Sequence, residues 1–191
     1  MIPIITQPNN SQLLDVLAEA FTDNKSVNYA IKQDSKRVKR IHFLIQYALN
    51  ICLEFGEVWQ SDDRKGYALM LFPDQKRITF RSILWDIQLA TLATGLTKVP
   101  KVLDREARIR SKHPATPFCH LWFLGVAEKS QGQGIGSALL TELIEHCQSL
   151  QRPIYLETST LQNLPWYEKF GFQVYDQLDF GFSLYMLRKT S

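Results

Sequence analysis

Glycine and proline are scarce, at 9 Gly and 8 Pro in 191 residues, which excludes a collagen-like or low-complexity chain. Charge is limited as well. Charged residues make up 21% and the net charge is +3, against 45% hydrophobic and 12% aromatic residues, so disorder is excluded as the main state. No apolar run approaches the length of a membrane span, and the longest candidate, residues 68–72, is strand-sized. The first ten residues lack a basic segment followed by a long apolar one, so no secretory signal is expected. Three cysteines (Cys52, Cys119, Cys147) are an odd number with no Cys-x-x-Cys pair. Neither a disulfide framework nor a zinc module is expected, no metal is assigned, and a reducing cytoplasm is the expected compartment. The slight positive charge suits an anionic small ligand as well as it suits nucleic acid.

What is present is an alternation of two periods. Apolar residues at helical spacing predict helices over residues 11–22, 34–55, 82–94 and 137–150, and a charged helix over 98–111. Ser11 suits the first as an N-cap, and Gly56 suits the second as a stop. Runs rich in β-branched and aromatic residues predict strands over 57–60, 67–72, 118–126 and 153–158, with 172–175 and 182–187 as a closing antiparallel pair. Asp62, Asp63 and Gly66 supply a turn between the first two, and Pro73, with no N–H for a ladder, ends the second. Pro165 opens and Gly171 stops a short helix over 164–170. No repeat or linker interrupts the pattern, so residues 1–191 are expected to form a single α/β (α+β) domain. Lys36, Arg37, Lys39 and Arg40 read as a solvated helix face. They lack the interleaved aromatics of a nucleic-acid site, so no nucleic acid is expected as partner, and no membrane.

The informative stretch runs from Leu124, Gly125 and Val126 through Gln131, Gly132, Gln133, Gly134, Ile135 and Gly136 to Ser137. A strand enters a loop with three alternating glycines, and a helix follows at once. Glycines let backbone N–H groups close on a ligand, and the new helix adds its unpaired N–H groups and the positive end of its dipole. Together these make an anion site, most naturally for a phosphate or pyrophosphate. The competing reading is a tight strand-to-helix turn with no ligand. A P-loop is excluded because no Gly-Lys-Ser/Thr follows. The dinucleotide fingerprint fails because Ser137 and Leu139 stand where its third glycine is needed, although Glu157 lies near that motif's acidic distance.

The segment Gln131-Gly132-Gln133-Gly134-Ile135-Gly136 resembles the acetyl-CoA pyrophosphate loop of the GNAT N-acetyltransferase superfamily, Gln/Arg-x-x-Gly-x-Gly/Ala. The later Leu156-Glu157-Thr158-Ser159 and Asn163-Leu164-Pro165-Trp166-Tyr167-Glu168-Lys169-Phe170-Gly171-Phe172 resemble its second signature, in wording nearest the puromycin N-acetyltransferase-like branch. The specific likeness covers residues 118–172. It implies a mixed, mostly antiparallel central sheet with two splayed parallel strands, flanked by helices. It also implies acetyl-CoA as co-substrate, in the gap between strands 118–126 and 153–158. Leu124, Gly125 and Val126 would then meet the pantetheine arm, Gln131 to Gly136 the pyrophosphate, Ser137 would donate a hydroxyl, and Asn163 would contact the arm. Tyr167 matches the family's tyrosine near the thioester sulfur, where a phenol can protonate the departing thiolate. Its competing reading is a core residue.

An ammonium has no lone pair, so the acceptor amine needs a base. Glu157 is the first candidate: an apolar pocket would raise its pKa toward a useful value. A cation-binding or structural ion-pair role competes. His120 is the second candidate, while His42 and His113 have no partner pattern and His146 reads as exposed on its helix. On the acceptor side, Phe21, Tyr29, Trp59, Phe80, Trp85, Tyr175, Phe180 and Phe182, with Asp176 and Asp179, are candidates for an aromatic pocket or simply for core. The function expected is acetyl transfer from acetyl-CoA to the primary amine of a small molecule by direct attack on the thioester, in a monomer or homodimer. A peptide or protein amine as acceptor, or a non-catalytic CoA-binding sensor, stays open beside it.

Overall fold

The computed structural model describes residues 2–3 and 11–190. Its chain forms seven strands and seven α-helices among those residues. The strands are β1 (Ile2–Pro3), β2 (Gly56–Gln60), β3 (Gly66–Leu71), β4 (Cys119–Val126), β5 (Ile154–Thr158), β6 (Gln173–Asp179) and β7 (Ser183–Lys189). They make one sheet in the order β1-β2-β3-β4-β5-β7-β6. Every neighbouring pair is antiparallel except β4 and β5, which run parallel.

That parallel pair is short. Only Cys119↔Ile154 and His120↔Tyr155 are matched, and beyond them the two strands part. β4 is also bulged: Leu69 faces Phe123 and Met70 faces Leu121, so Trp122 is an extra residue in the ladder. The bulge changes which face each side chain meets. Leu121 packs in one core cluster, Phe123 in the other.

The helices cover both faces. On one lie α1 (Ser11–Ala20) and α3 (Arg37–Phe55), whose Leu17, Ile41, Ile45 and Leu49 pack on β2 and β3. On the other lie α6 (Ile135–Ser149) and α7 (Leu164–Lys169), where Leu139, Leu140 and Leu143 meet Leu121, Leu156 and Tyr167. A smaller cluster joins Ile109 of α5 (Val99–Arg110) to Leu178, Leu184 and Met186 of the last two strands. Each helix thus buries an apolar stripe against a sheet face, which supplies most of the stability of helices this short.

Three local features depart from the sequence reading. A short helix, α2 (Lys25–Ala30), precedes α3; Asn24 caps it by accepting the Val27 N–H at 3.0 Å, and six residues are too few for periodicity to show. α3 begins at Arg37 because Asp34 turns the chain: its carboxylate accepts the Lys36 N–H and two hydrogen bonds from the Arg40 guanidinium. Arg37 in turn donates to Thr22 O and Asn28 Oδ1, so two of the four cations on the expected solvated face are internal ties. The helix expected over 82–94 is α4 (Phe80–Gln88) followed by a π-helical turn to Gly95. A reciprocal Thr79/Ser82 capping box turns Ser82 inward. Trp85 and Leu89 pack on the core, and Ile83, Leu84 and Ile87 are left exposed.

Candidate active site

Two surfaces meet where β4 and β5 part. On the α6 side, the loop after β4 leads into α6 through Gly132 at φ +76° and Gly134 at φ +84°, left-handed values that favour glycine. The backbone N–H groups of Gly132, Gly134, Ile135, Gly136 and Ser137 have no acceptor among the described residues. A Cβ built at Gly132 or Gly134 would meet nothing within 4 Å, so the space in front of them is open. Gly136 differs: its Cα packs near Val126 and Leu124, bringing α6 close to β4.

The other expected donor-side residues fall unevenly around this cradle. Leu124 packs partly buried in the α6-side core. Val126 O accepts a hydrogen bond from Gln131 Nε2 at 3.2 Å. Gly125 faces α1, and a Cβ there would stand 2.8 Å from Leu17 Cδ2, so its role in the fold is close packing. Ser137 Oγ accepts from Trp166 Nε1 at 3.2 Å and keeps its own proton to donate. Asn163 is exposed at the start of α7 with no capping bond. Tyr167 is buried between Trp166 and Phe172, at ring separations of 4.8 and 5.6 Å. Burial pushes its phenol pKa well up, so it stays protonated.

On the opposite face lies a cleft of about 620 Å³. Its floor holds Glu157, which β5 turns away from the α6 side because Leu156 takes that face. His113 Nε2 donates to Glu157 Oε1 at 2.7 Å, and His120 Nε2 donates to Oε2 at 2.8 Å. The three side chains are 10–12% exposed. α5 and the Pro-rich connector carry His113 over the sheet, where its ring packs on Phe118 at 5.0 Å. The bulged Trp122 stacks on His120 at 6.3 Å and 20°.

The electrostatics invert one expectation. Burial acts to raise the pKa of Glu157, but the charge of His120 and hydrogen bonds from both histidines outweigh it, and the carboxyl is held well below the usual range. Burial likewise acts to lower that of His120, but the Glu157 charge and hydrogen bond prevail and raise it above 6.5. A carboxylate held ionised is a poor proton acceptor. The imidazole that it polarises is the stronger base.

His113, without a visible partner in the sequence, is thus a direct neighbour of Glu157. His146 is half-buried and bound to Glu57, so it is not the exposed position expected. Of the acceptor-side aromatics expected, Phe21 lines the cleft. Trp59 packs on the far face and Phe80 is exposed, while Tyr29, Phe180 and Phe182 pack on one another. The cleft takes its aromatics instead from β4 and its approach: Phe118, Trp122 and Phe123. Charges of both signs face it, among them Asp86, Glu106, Arg105 and Arg110. The histidines, Glu157 and the cleft offer N and O donors for a cation, and the glycine loop offers N–H groups for an anion.

The parallel pair thus parts between an open glycine loop on one face and a carboxylate–imidazole cluster in a cleft on the other. Residues 102–174 match the family model described as the acetyltransferase (GNAT) domain. The chain is 29% identical over 190 residues to an uncharacterized N-acetyltransferase of Schizosaccharomyces pombe, covering 90% of this chain and 71% of that protein. Its fold is similar to a Corynebacterium glutamicum protein named histone acetyltransferase and related acetyltransferase, with TM-score 0.67, 18% identity and coverage of 99% and 94% of the two chains. It is also similar to arylalkylamine N-acetyltransferase 2 of Aedes aegypti, with TM-score 0.58, 16% identity and coverage of 97% and 96%. An Arabidopsis thaliana relative in fold, bound to the bisubstrate analogue CoA-Ac-MVNAL, gives TM-score 0.52, 16% identity and coverage of 97% and 95%. The chain is thus similar to N-acetyltransferases, with the match to the acetyltransferase (GNAT) domain confined to residues 102–174. No helix among the described residues is long and apolar enough to cross a membrane.

Proposed function

We propose that this protein transfers the acetyl group of acetyl-CoA to the primary amine of a small molecule. The observation that carries the reading is the opposition, across the parting strands, of the open N–H cradle at residues 132 and 134–137 and the Glu157–His120 pair on the cleft floor. The cradle suits a pyrophosphate, and the parting strands leave room for an extended pantetheine arm near Leu124, Val126 and Asn163. The cleft suits an amine bearing an aromatic or apolar body, beside Phe118, Trp122 and Phe123.

The chemistry follows from these residues. His120 gives its Nε2–H to Glu157, which leaves the Nδ1 lone pair to take a proton from the incoming ammonium. Glu157 holds the ring in that tautomer and stabilises the imidazolium, in the manner of the carboxylate of a catalytic triad. The amine attacks the thioester carbonyl, and the tetrahedral intermediate expels the CoA thiolate, which takes the Tyr167 phenol proton. The second proton lost by the nitrogen restores the phenol, while the imidazolium releases its own to solvent. The base role thereby passes from Glu157, the first candidate, to His120. The likeness to the puromycin N-acetyltransferase-like branch rests on the wording of residues 156–172 and makes aminonucleosides the first acceptors to try.

The test is incubation with acetyl-CoA and a panel of aminonucleosides, polyamines and short peptides, following free thiol and acetylated product by mass. Turnover on aminonucleosides or polyamines supports the reading. Turnover on peptides alone replaces the acceptor class, and acetyl-CoA binding without any turnover replaces the enzyme by a sensor.

A further inference from the structure

We propose that His113, His120 and Glu157 also form a divalent-metal site, suited to Zn²⁺, whose occupation switches acetyl transfer off. One ring nitrogen from each histidine and one carboxylate oxygen all lie within 4.8 Å of one another, and this is the three-member group of that kind among the described residues. Two imidazoles and a carboxylate are a common zinc ligand set, and they leave a fourth position for water. The other histidine–carboxylate contacts, His146–Glu57 and His42–Asp15, bring together two groups each.

The site is pre-organised. Its ligands come from β4, β5 and the connector after α5, and all three are 10–12% exposed, so little side-chain freedom remains to be lost. A metal reaches them through the cleft. Tetrahedral bonds of about 2.1 Å set ligand atoms about 3.4 Å apart. One Glu157 oxygen ligates, so the N···O contact to that oxygen, 2.7 Å at Oε1 or 2.8 Å at Oε2, must open by about 0.6–0.7 Å on that geometry. That is within the range of small side-chain rotations.

Occupation and catalysis need opposite tautomers. The hydrogen-bonded cluster has protons on both Nε2 atoms, facing Glu157. Ligation needs both Nε2 lone pairs, so each neutral ring moves its proton to Nδ1 through solvent, and an imidazolium releases one proton to water. The aqua ion gives up the waters that the three ligands replace. His120 then has no Nδ1 lone pair for the amine. This inhibitory half rests on the catalytic reading above; metal binding itself does not.

The experiment uses the full chain stripped with a chelator, without acetyl-CoA. Zn²⁺ binding is followed by competition with a chromophoric indicator, and Co²⁺ is substituted for its absorption spectrum. The expected result is one Zn²⁺ per chain and an intense low-coordinate Co²⁺ spectrum. His113→Ala and Glu157→Gln each weaken binding by more than the roughly 10–100-fold that loss of an outer-shell partner costs, while His146→Ala changes nothing. Should His113→Ala fail to fold by circular dichroism, Glu157→Gln, of nearly the same shape, decides. Absence of binding, or equal binding in wild type and both variants, overturns the site. Transfer that is insensitive to Zn²⁺ at saturating occupancy overturns the switch. Metal binding with no turnover on any amine fails the catalytic reading and leaves the site standing.

Discussion

His120 Nε2 and Glu157 Oε2 lie 2.8 Å apart on neighbouring parallel strands, where His120 belongs to the last matched backbone pair, His120↔Tyr155, and Glu157 lies beyond it. Where the ladder stops, a side-chain bond continues the link across the gap. Each group shifts the other: the carboxyl is held low and the imidazole is raised. For stability the signs are opposite. The depressed Glu157 contributes above its unfolded value of 4.5 and loses that as pH falls. The raised His120 contributes fully below 6.5 and loses that as pH rises through its folded value. The pair is therefore most stabilising between pH 4.5 and 6.5.

On the proposed mechanism, the same pair sets the pH dependence of the rate. His120 must be neutral to accept a proton, so kcat/KM is expected to rise with pH along a limb centred above 6.5. In Glu157→Gln the carboxylate's pull is gone and burial, the largest influence, is opposed only by the charge of Glu106, so the limb moves to lower pH while the plateau falls. His120→Gln is expected to lower kcat by ~10²-fold or more across the range. A pH–rate profile of the three proteins checks this; an unmoved limb in Glu157→Gln removes His120 as the base.

Tyr167→Phe tests the acid. Its hydroxyl makes no hydrogen bond to a described residue, while its ring packs against Trp166 and Phe172. The substitution keeps the ring, so the melting temperature is expected to move little. As the thiolate's proton donor, the phenol is worth ~10²-fold or more in kcat, with KM for acetyl-CoA unchanged. A retained kcat with an unchanged melting temperature assigns Tyr167 to packing alone.

The glycine loop is legible in the chain, while the direction in which Glu157 points is not. A backbone cradle requires small residues at fixed spacing, so Gly132, Gly134 and Gly136 announce it locally. Strand parity alone leaves the facing of Glu157 open, since a one-residue bulge reverses it; the packing of Leu156 toward α6 is what sets its neighbour on the other side. His113 was not readable, because 44 residues separate it from Glu157 and only the packing of α5 on the last strands brings it over the sheet. The reversed pKa of Glu157 follows first from the charge of His120 and then from that contact. The Trp122 bulge, which puts an indole on His120, leaves no mark in the alternation of a strand rich in aromatics.

Gly134→Ala tests the cradle. At φ +84° a Cβ adds strain of about 1–2 kcal/mol. The space around it is open, so the fold survives. That open space is where the pyrophosphate is proposed to sit, and the left-handed turn is what aims the N–H groups of residues 132 and 134–137. KM for acetyl-CoA is expected to rise ~10-fold or more, by analogy with losing one to two charge-assisted hydrogen bonds, with kcat at saturation much less affected. Steady-state kinetics with acetyl-CoA varied checks it.

Gly56→Ala tests how the sheet holds the site. Gly56 ends α3 and begins β2, opposite Leu71 at the end of β3. A Cβ there would fall 2.0 Å from the Met70 carbonyl oxygen and 2.9 Å from Leu71 Cα, and neither can move without opening the β2–β3 ladder. Its φ of −168° is ordinary extended backbone, so the penalty is the clash and not the torsion. The substitution is expected to destabilise the fold by about 3 kcal/mol or more, read as a lower denaturation midpoint. β3 also pairs with β4, matching Met70 to Leu121 beside the Trp122 bulge, so the disturbance reaches the strand that carries His120. A variant that folds should therefore lose kcat while the cradle's affinity for acetyl-CoA, held by α6 on the other face, is largely kept. Equal losses in both would mean that β4 moves as a whole and carries the loop with it.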